Sequence, residues 1–574
     1  MVCWQPGSVM RLAGKSVAGH LILLCVALGL LLCLWVTPVL FAGFPYQFPG
    51  LLPARNFAAT ELFSLFDGLG RLLSTQLLPI EGVSSTADGR LSTVLFALIS
   101  SWVPWNNFIG WTVVSAVVTA FSLMFFWLAA AKIFGVRAAW VATLLLGLSP
   151  LMWQQALTVD NYTFAFFFLF ASLASFVWLE ERSLWGALVV SGLLLGCSVA
   201  SKDVFLIFLP WYLCVYLWVE RRAWKRGVIG IVLFGAFAGA VYLAPYIGDI
   251  RTLGYPANQN LARVWPGAEE LENATYLHLY PDPYTYFFDR ERFDQEHLSQ
   301  VAQWSWLARM QEQKTLINYG LRSGFLLSLA NGGWLFLNSI PSFFQQARVG
   351  SVALWLFLIP GFFFLWKRER RCTLLLLGLV VSSYAIITFV LHYEREHLMD
   401  VLWVFMLFAG VGVGVVSDAL APSLGRVRSG LLLTGVLLVL GIEMLQANRL
   451  ELARLYGAST VPVALAQAEV LKALPDDAVV ALCEHPTRMM DLKLLSDRTL
   501  VLFSEETVER LRADGMLRNA LDAFGVTHLF GYSEDLSARL SRTVLGAKVL
   551  AAPQSEATPL VITPFINYIL HTIR

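Results

Sequence analysis

Residues 17–40 contain no Asp, Glu, Lys or Arg. A helix needs about 20 apolar residues to cross the roughly 30 Å hydrocarbon core of a bilayer, and a charge inside such a run is costly. Comparably apolar runs recur at 109–131, 138–151, 162–179, 184–200, 204–219, 227–247, 352–366, 373–391, 398–416 and 431–445, with one acid each in the last two. The chain therefore reads as a polytopic α-helical membrane protein of about eleven transmembrane helices. Composition agrees: 57% of the 574 residues are hydrophobic and only 14% charged, well below the quarter usual in soluble domains. These values exclude a water-soluble domain, a disordered chain, a collagen-like repeat and a small disulfide-stapled module. With Lys+Arg at 41 against Asp+Glu at 40 there is no basic excess to displace counterions, so nucleic acid is excluded as a partner.

Basic residues orient the spans, since Lys and Arg gather in cytoplasmic loops. Arg11 and Lys15 precede the first span and place the N-terminus inside. Lys132 and Arg137, then Arg221, Arg222, Lys225 and Arg226, then Lys367, Arg368, Arg370 and Arg371, then Arg426 and Arg428 fall inside by alternation. The parity requires that 321–345, broken by Asn331, Gly332, Gly333, Asn338 and Pro341, lies at the interface without crossing; 91–105 is read the same way. The first span is too long for a signal-peptide core, so an uncleaved anchor is expected despite a weak cleavage site at Ala42-Gly43. The protein is placed in the cytoplasmic (inner or plasma) membrane. Cys25, Cys33, Cys197 and Cys214 lie in spans, Cys3 and Cys372 near the inner face, and Cys483 stands alone outside. This gives no external disulfide and no metal-ligand spacing.

Residues 1–449 are read as the transmembrane domain and 450–574 as an extracytoplasmic α/β domain. Within the first, 41–107 is an external loop whose stretch 56–78 carries apolar residues at helical spacing, and 248–348 is a second large external loop. In the C-terminal piece, helices at 464–474 and 505–524 alternate with strands at 478–482, 499–503 and 526–530, which suggests a mostly parallel sheet. It contains no phosphate-binding glycine loop and no nucleophile elbow. Its simplest reading is a lid or docking module.

Charged groups at the outer ends of spans are the candidates for chemistry. Asp160 opens the span at 162–179, where a helix N-cap is the plain alternative. Lys202 and Asp203 join two spans almost without a loop. They form either a local pair or an ammonium set to meet an anionic headgroup or phosphate. His392, Glu394, Arg395 and His397 crowd a short turn, as a solvated connection or as the cationic wall of a site. Glu61, Asp67, Glu81 and Asp88 lie in the first loop, where most carboxylates are solvated and one could act as a base. Asn161-Tyr162-Thr163 and Asn273-Ala274-Thr275 match the glycosylation triplet, a pattern frequent by chance.

Four features together resemble the GT-C fold, the polyprenyl-phosphate-sugar-dependent glycosyltransferases of the protein O-mannosyltransferase and aminoarabinose-transferase branch. The long acidic first loop follows span one. Phe134-Gly135-Val136-Arg137 then leads to Leu148-Ser149-Pro150 and Asp160. Gly192-Leu193-Leu194-Leu195-Gly196 runs on to Ser201-Lys202. An Arg-containing turn at Arg395 precedes a span, and a soluble piece closes the chain. Many relatives carry an adjacent Asp-Glu pair in the first loop, and here Thr60-Glu61 stands in its place. The resemblance implies an inverting transfer from a polyprenyl-phosphate-linked sugar to a hydroxyl of a lipid, glycan or protein acceptor on the extracytoplasmic face. It gives Glu61 first, then Asp67 and Asp88, as general base, with Asp160 orienting acceptor or sugar or holding Lys202. Lys202 and Arg395, with His392 or His397, would hold the donor phosphate. No cofactor is implied, and a divalent cation is left open. A lipid or solute transporter or flippase would show paired charges at mid-membrane and an inverted repeat, neither of which is present in the sequence. A non-catalytic subunit that keeps the fold is the third reading, permitted by the missing Asp-Glu pair.

Overall fold

A computed structural model describes residues 14–42, 90–104, 107–219, 224–246, 340–390, 395–458, 461–482, 498–502, 526–530, 549–550 and 570–572, with scattered single residues between them. The expected interfacial helix at 56–78, Glu61, Asp67, Asp88, His392 and most of the second external loop lie outside the described residues.

The apolar runs are helices, as they must be where no water can satisfy backbone polar groups. In order they are α1 (Gly14–Ala42), α2 (Arg90–Ile99), α3 (Phe108–Phe134), α4 (Val136–Leu148), α5 (Pro150–Leu157), α6 (Asn161–Leu179) and α7 (Leu184–Ser201). After a 3₁₀ turn at Asp203–Ile207 come α8 (Phe208–Val219), α9 (Trp224–Leu243), α10 (Trp355–Arg368), α11 (Arg370–Ala385), α12 (Met399–Leu424), α13 (Arg426–Ala458) and α14 (Val461–Lys472).

Among the described residues eight helices are long and apolar enough to cross a membrane, or nine if one bent pair counts as a span. The molecule is a multi-pass membrane protein. The count differs from eleven at three places. The run expected at 138–151 is the bent pair, α4 and α5 meeting at 63°. Pro150 has no N–H to continue the ladder of α4, and Ser149 restarts the chain by capping α5. The Leu148 carbonyl at the break accepts a hydrogen bond from Asn448 Nδ2 of α13 at 2.7 Å. The run at 204–219 is shortened by its 3₁₀ start, and α10 has only 14 residues. Helix α2, expected as an interfacial segment, is about 15 Å long at 1.5 Å per residue and cannot cross. It is largely inserted, with Ser92, Thr93, Val94 and Phe96 buried.

Glycines set two close crossings. A Cβ on Gly192 or Gly196 of α7 would lie 2.9 and 2.6 Å from the Phe234 and Ala238 carbonyl oxygens of α9. Gly361 of α10 and Gly412 of α12 face each other's helix so closely that a Cβ on either would collide with the backbone of Phe408 or Phe357. Such contact replaces the hydrophobic drive that is absent between helices in lipid.

The C-terminal residues form a five-stranded sheet in the order β2-β1-β3-β5-β4. The strands are β1 (Val479–Leu482), β2 (Thr499–Leu502), β3 (His528–Phe530), β4 (Val549–Leu550) and β5 (Leu570–Thr572). β1 pairs in parallel with β2 and β3, while β5 runs antiparallel to β3 and β4. Arg498 anchors the sheet to α14, donating to the Lys472 and Leu474 carbonyls at 2.9 and 2.8 Å and to Asp476 at 2.7 Å. Val480 and Phe530 share one apolar cluster with Leu471 of α14, Phe96 of α2 and Trp111 of α3.

Candidate active site

Three chain segments far apart in sequence meet at one end of the bundle: the start of α6, the end of α7 and the turn before α12. The first is held from below by a buried polar network. Ser115 Oγ of α3 donates to the Thr158 carbonyl at 2.8 Å, and Gln155 Nε2 donates to Thr163 Oγ1 at 3.1 Å. Asp160 then caps α6, its Oδ1 accepting from the Asn161 N–H at 2.5 Å. Its side chain thus holds the position that the capping alternative required. The first and second segments are tied by Ser198 Oγ, which donates to the Ala165 carbonyl at 2.7 Å. From α2, Ser92 Oγ reaches both the Ser201 carbonyl at 3.2 Å and the Asn161 carbonyl at 3.4 Å.

Tyr162 is the hub. Its hydroxyl lies 2.7 Å from His397 Nδ1, across 235 residues of sequence. Its ring lies under Lys202, with Nζ 4.9 Å from the ring centroid, a cation–π contact of about 0.5–2 kcal/mol. The ring stacks on Phe166 and meets Phe205 edge-on, so it is fully buried and fixed. Lys202 ends α7 in extended backbone and is half-buried. Beside it the Ser201 hydroxyl is buried, with no hydrogen-bond partner among the described residues. Asp203, at 7% exposure, opens the following 3₁₀ turn.

His397 closes the site from the third segment. It lies in a 3₁₀ turn at Arg395–Leu398, 3% exposed, which also places the backbone of Arg395. Its Nδ1 is 3.5 Å from Oδ2 of Asp400, on the first turn of α12. Asp400 is fully buried, and Lys202 is near enough to act on it electrostatically. Its backbone carbonyl accepts from Trp403 Nε1 at 2.8 Å. Below this layer Phe166, Phe170 and Trp403 form an aromatic column. The column ends at an apolar cavity of about 120 Å³ along the C-terminal halves of α3 and α6, lined in part by Phe134, Leu173, Glu180, Tyr212 and Trp403.

Of the residues singled out from sequence, Lys202 and His397 are brought onto the two sides of one tyrosine, and Asp160 lies two residues from it. Tyr162 and Asp400 were missed. Tyr162 sits in an aromatic-rich span where it reads as core, and an acid in a first helical turn reads as a favourable dipole contact. A cue for Asp400 was available in the spacing of His397 and Asp400, which puts the two side chains on one helical face.

No protein-family model matches the chain, and no curated protein does. Solved structures do. ArnT from Cupriavidus metallidurans matches in its apo state with a TM-score of 0.55 at 14% identity over 97% of this chain and 98% of that one. The same protein bound to undecaprenyl phosphate gives 0.53 at 13% identity over 96% and 98%. The chain has the GT-C fold. The archaeal oligosaccharyltransferase AglB from Archaeoglobus fulgidus, in complex with an inhibitory peptide and a dolichol-phosphate, matches at 0.52 and 12% identity over 96% of this chain and 76% of that one. At these identities the likeness is one of GT-C architecture. The resemblance drawn from Leu148-Ser149-Pro150, Ser201-Lys202 and the turn at Arg395 is borne out at that level.

Proposed function

We propose that this protein is a membrane glycosyltransferase that moves a sugar from a polyprenyl-phosphate donor to an acceptor hydroxyl, with the donor phosphate held beside Lys202. The observation that carries this reading is the meeting of Lys202, Tyr162 and His397 at one end of a GT-C bundle. A half-buried ammonium fixed over a ring is already oriented when an anion arrives, and low local polarity strengthens the attraction. The buried Ser201 hydroxyl is a further donor beside Lys202, and Arg395 is a further candidate.

In the reaction, the acceptor oxygen attacks the anomeric carbon as the bond from that carbon to the phosphate oxygen breaks. The hydroxyl proton passes to a carboxylate, and the electron pair of the broken bond stays on the phosphate. Lys202, His397 and Arg395 stabilise that added charge, with His392 joining them if its turn faces inward. Attack opposite the leaving group inverts the anomeric centre. Glu61 is the first choice of base, with Asp67 and Asp88 behind it. Asp160, already committed to the α6 cap, orients the helix that carries Tyr162 more readily than it takes a proton. We place the site on the extracytoplasmic face of the cytoplasmic membrane, with the N-terminus inside and residues 450–574 as an outer α/β domain beside it. The acceptor is a lipid, glycan or protein.

Sugar transfer from a polyprenyl-phosphate donor in membranes, measured for Glu61→Gln, Asp67→Asn and Lys202→Ala, tests the reading. Loss in Lys202→Ala and in one of the acid variants is expected. Full activity in all three sinks the site assignment. Binding of the donor lipid without any transfer by the unaltered protein would favour a non-catalytic subunit.

A further inference from the structure

Asp400 is the buried acid that this reaction leaves unused. Its carboxylate is fully buried, and neither oxygen has a hydrogen-bond partner among the described residues. Burying an ionised carboxylate costs several kcal/mol unless opposing charge and hydrogen bonds compensate. Three features offset part of that cost: the first turn of α12, Lys202, and His397 Nδ1 at 3.5 Å from Oδ2.

The geometry around Nδ1 has two solutions. With Nδ1 unprotonated, its one lone pair accepts the Tyr162 O–H at 2.7 Å, and the electron-rich nitrogen then offers the Asp400 oxygen no positive hydrogen. With Nδ1 protonated, its N–H donates to the Tyr162 oxygen and also points its positive end toward Asp400. The second arrangement removes a repulsion and gives the carboxylate a partial counter-charge. Among the described residues, Tyr162 from α6 and Asp400 from α12 lie against His397, and Lys202 from the end of α7 lies over the Tyr162 ring. Arg395 and Glu396 precede it in its own turn.

We propose that Asp400 is a positioning residue that fixes the proton of His397 on Nδ1 and thereby sets which face of the ring presents a hydrogen beside Tyr162. The consequence for phosphate binding rests on the proposed function, whereas the state of the ring does not. Asp400 acts through His397 and touches no substrate. Its removal should cost function and not folding, because the carboxylate makes no hydrogen bond that the fold would lose.

The test uses the full-length protein in nanodiscs with ¹⁵N-histidine labelling, and His397→Gln identifies the signal of that ring. In the unaltered protein His397 should show a protonated Nδ1. In Asp400→Asn the proton should move to Nε2, with the Tyr162 hydroxyl donating to Nδ1. The thermal midpoint of Asp400→Asn should hold or rise. Undecaprenyl phosphate should bind about tenfold more weakly. An unchanged His397 signal in Asp400→Asn overturns the proposal, and so does a lowered midpoint with unaltered binding. If the unaltered protein does not bind undecaprenyl phosphate, the functional reading fails while the histidine signal still decides the role of Asp400.

Discussion

The hydroxyl of Tyr162 and Nδ1 of His397 stand 2.7 Å apart and join the first turn of α6 to the turn that precedes α12. This bond closes the end of the bundle at which Lys202 also sits, so one tyrosine contacts both side chains. Tyr162→Phe isolates its effect. The ring remains to stack on Phe166 and to carry Lys202, while His397 loses its shortest contact. We expect a stability loss of about 1 kcal/mol and a larger fall in sugar transfer. Thermal unfolding and transfer measured on the same preparation check this. Unchanged transfer would remove Tyr162 from the site.

The break between α4 and α5 depends on a remote side chain. Asn448 Nδ2 donates to the Leu148 carbonyl and also to its own Met444 carbonyl, at 2.7 and 2.9 Å. Asn448→Leu leaves the Leu148 oxygen buried without its donor, at a cost of about 1–3 kcal/mol. A lowered unfolding midpoint in detergent is the expected result, and Asn448→Gln should recover little of it because its longer side chain misplaces the amide.

Gly412 tolerates no side chain. A methyl group there would collide with the Phe357 backbone of α10, so Gly412→Val must separate α10 from α12. Overpacking typically costs about 1–3 kcal/mol, and more where rigid backbone is the obstacle. Gly414, two residues on and on another face of α12, has open space where a Cβ would stand. Gly414→Ala should therefore fold with the yield of the unaltered protein, whereas Gly412→Val should not. Comparable yields for the two would contradict the crossing.

Acid should loosen the C-terminal sheet through His528. Burial of this residue in β3 holds its imidazole below the ordinary histidine range, opposed in part by the nearby Asp477 carboxylate. A group whose folded pKa is lowered takes up more protons when unfolded, so stability is complete above the unfolded value of about 6.5 and declines as pH falls through the folded value. His528→Gln should flatten that acid limb. Hydrogen exchange of the β1 and β3 amides between pH 7 and pH 5 would read the difference, and an identical pH response in both proteins would exclude His528 as its source.

Charge placement made part of the site legible in the sequence. Lys202 was conspicuous because it interrupts two apolar spans, and His397 because it crowds a short turn. Their proximity could not be read, since only the folding of α6 beside α7 and α12 brings positions 162, 202 and 397 together. Tyr162 was hidden by its aromatic neighbours. The membrane class followed from run length alone, yet the same measure counted 138–151 as one span. Run length registers hydrophobicity and does not register the missing N–H of Pro150. The early 3₁₀ turn at Asp203–Ile207 was invisible for a similar reason, because apolar residues continue straight through it.

The central claim is that the donor phosphate sits beside Lys202. Its most direct test is a structure of the protein in nanodiscs with undecaprenyl phosphate. The account predicts phosphate density within hydrogen-bonding reach of Lys202 Nζ, about 3 Å, on the side of the Tyr162 ring that the ammonium covers, and its loss in Lys202→Ala. Phosphate density at the opposite end of the bundle, or density unchanged in Lys202→Ala, would contradict it.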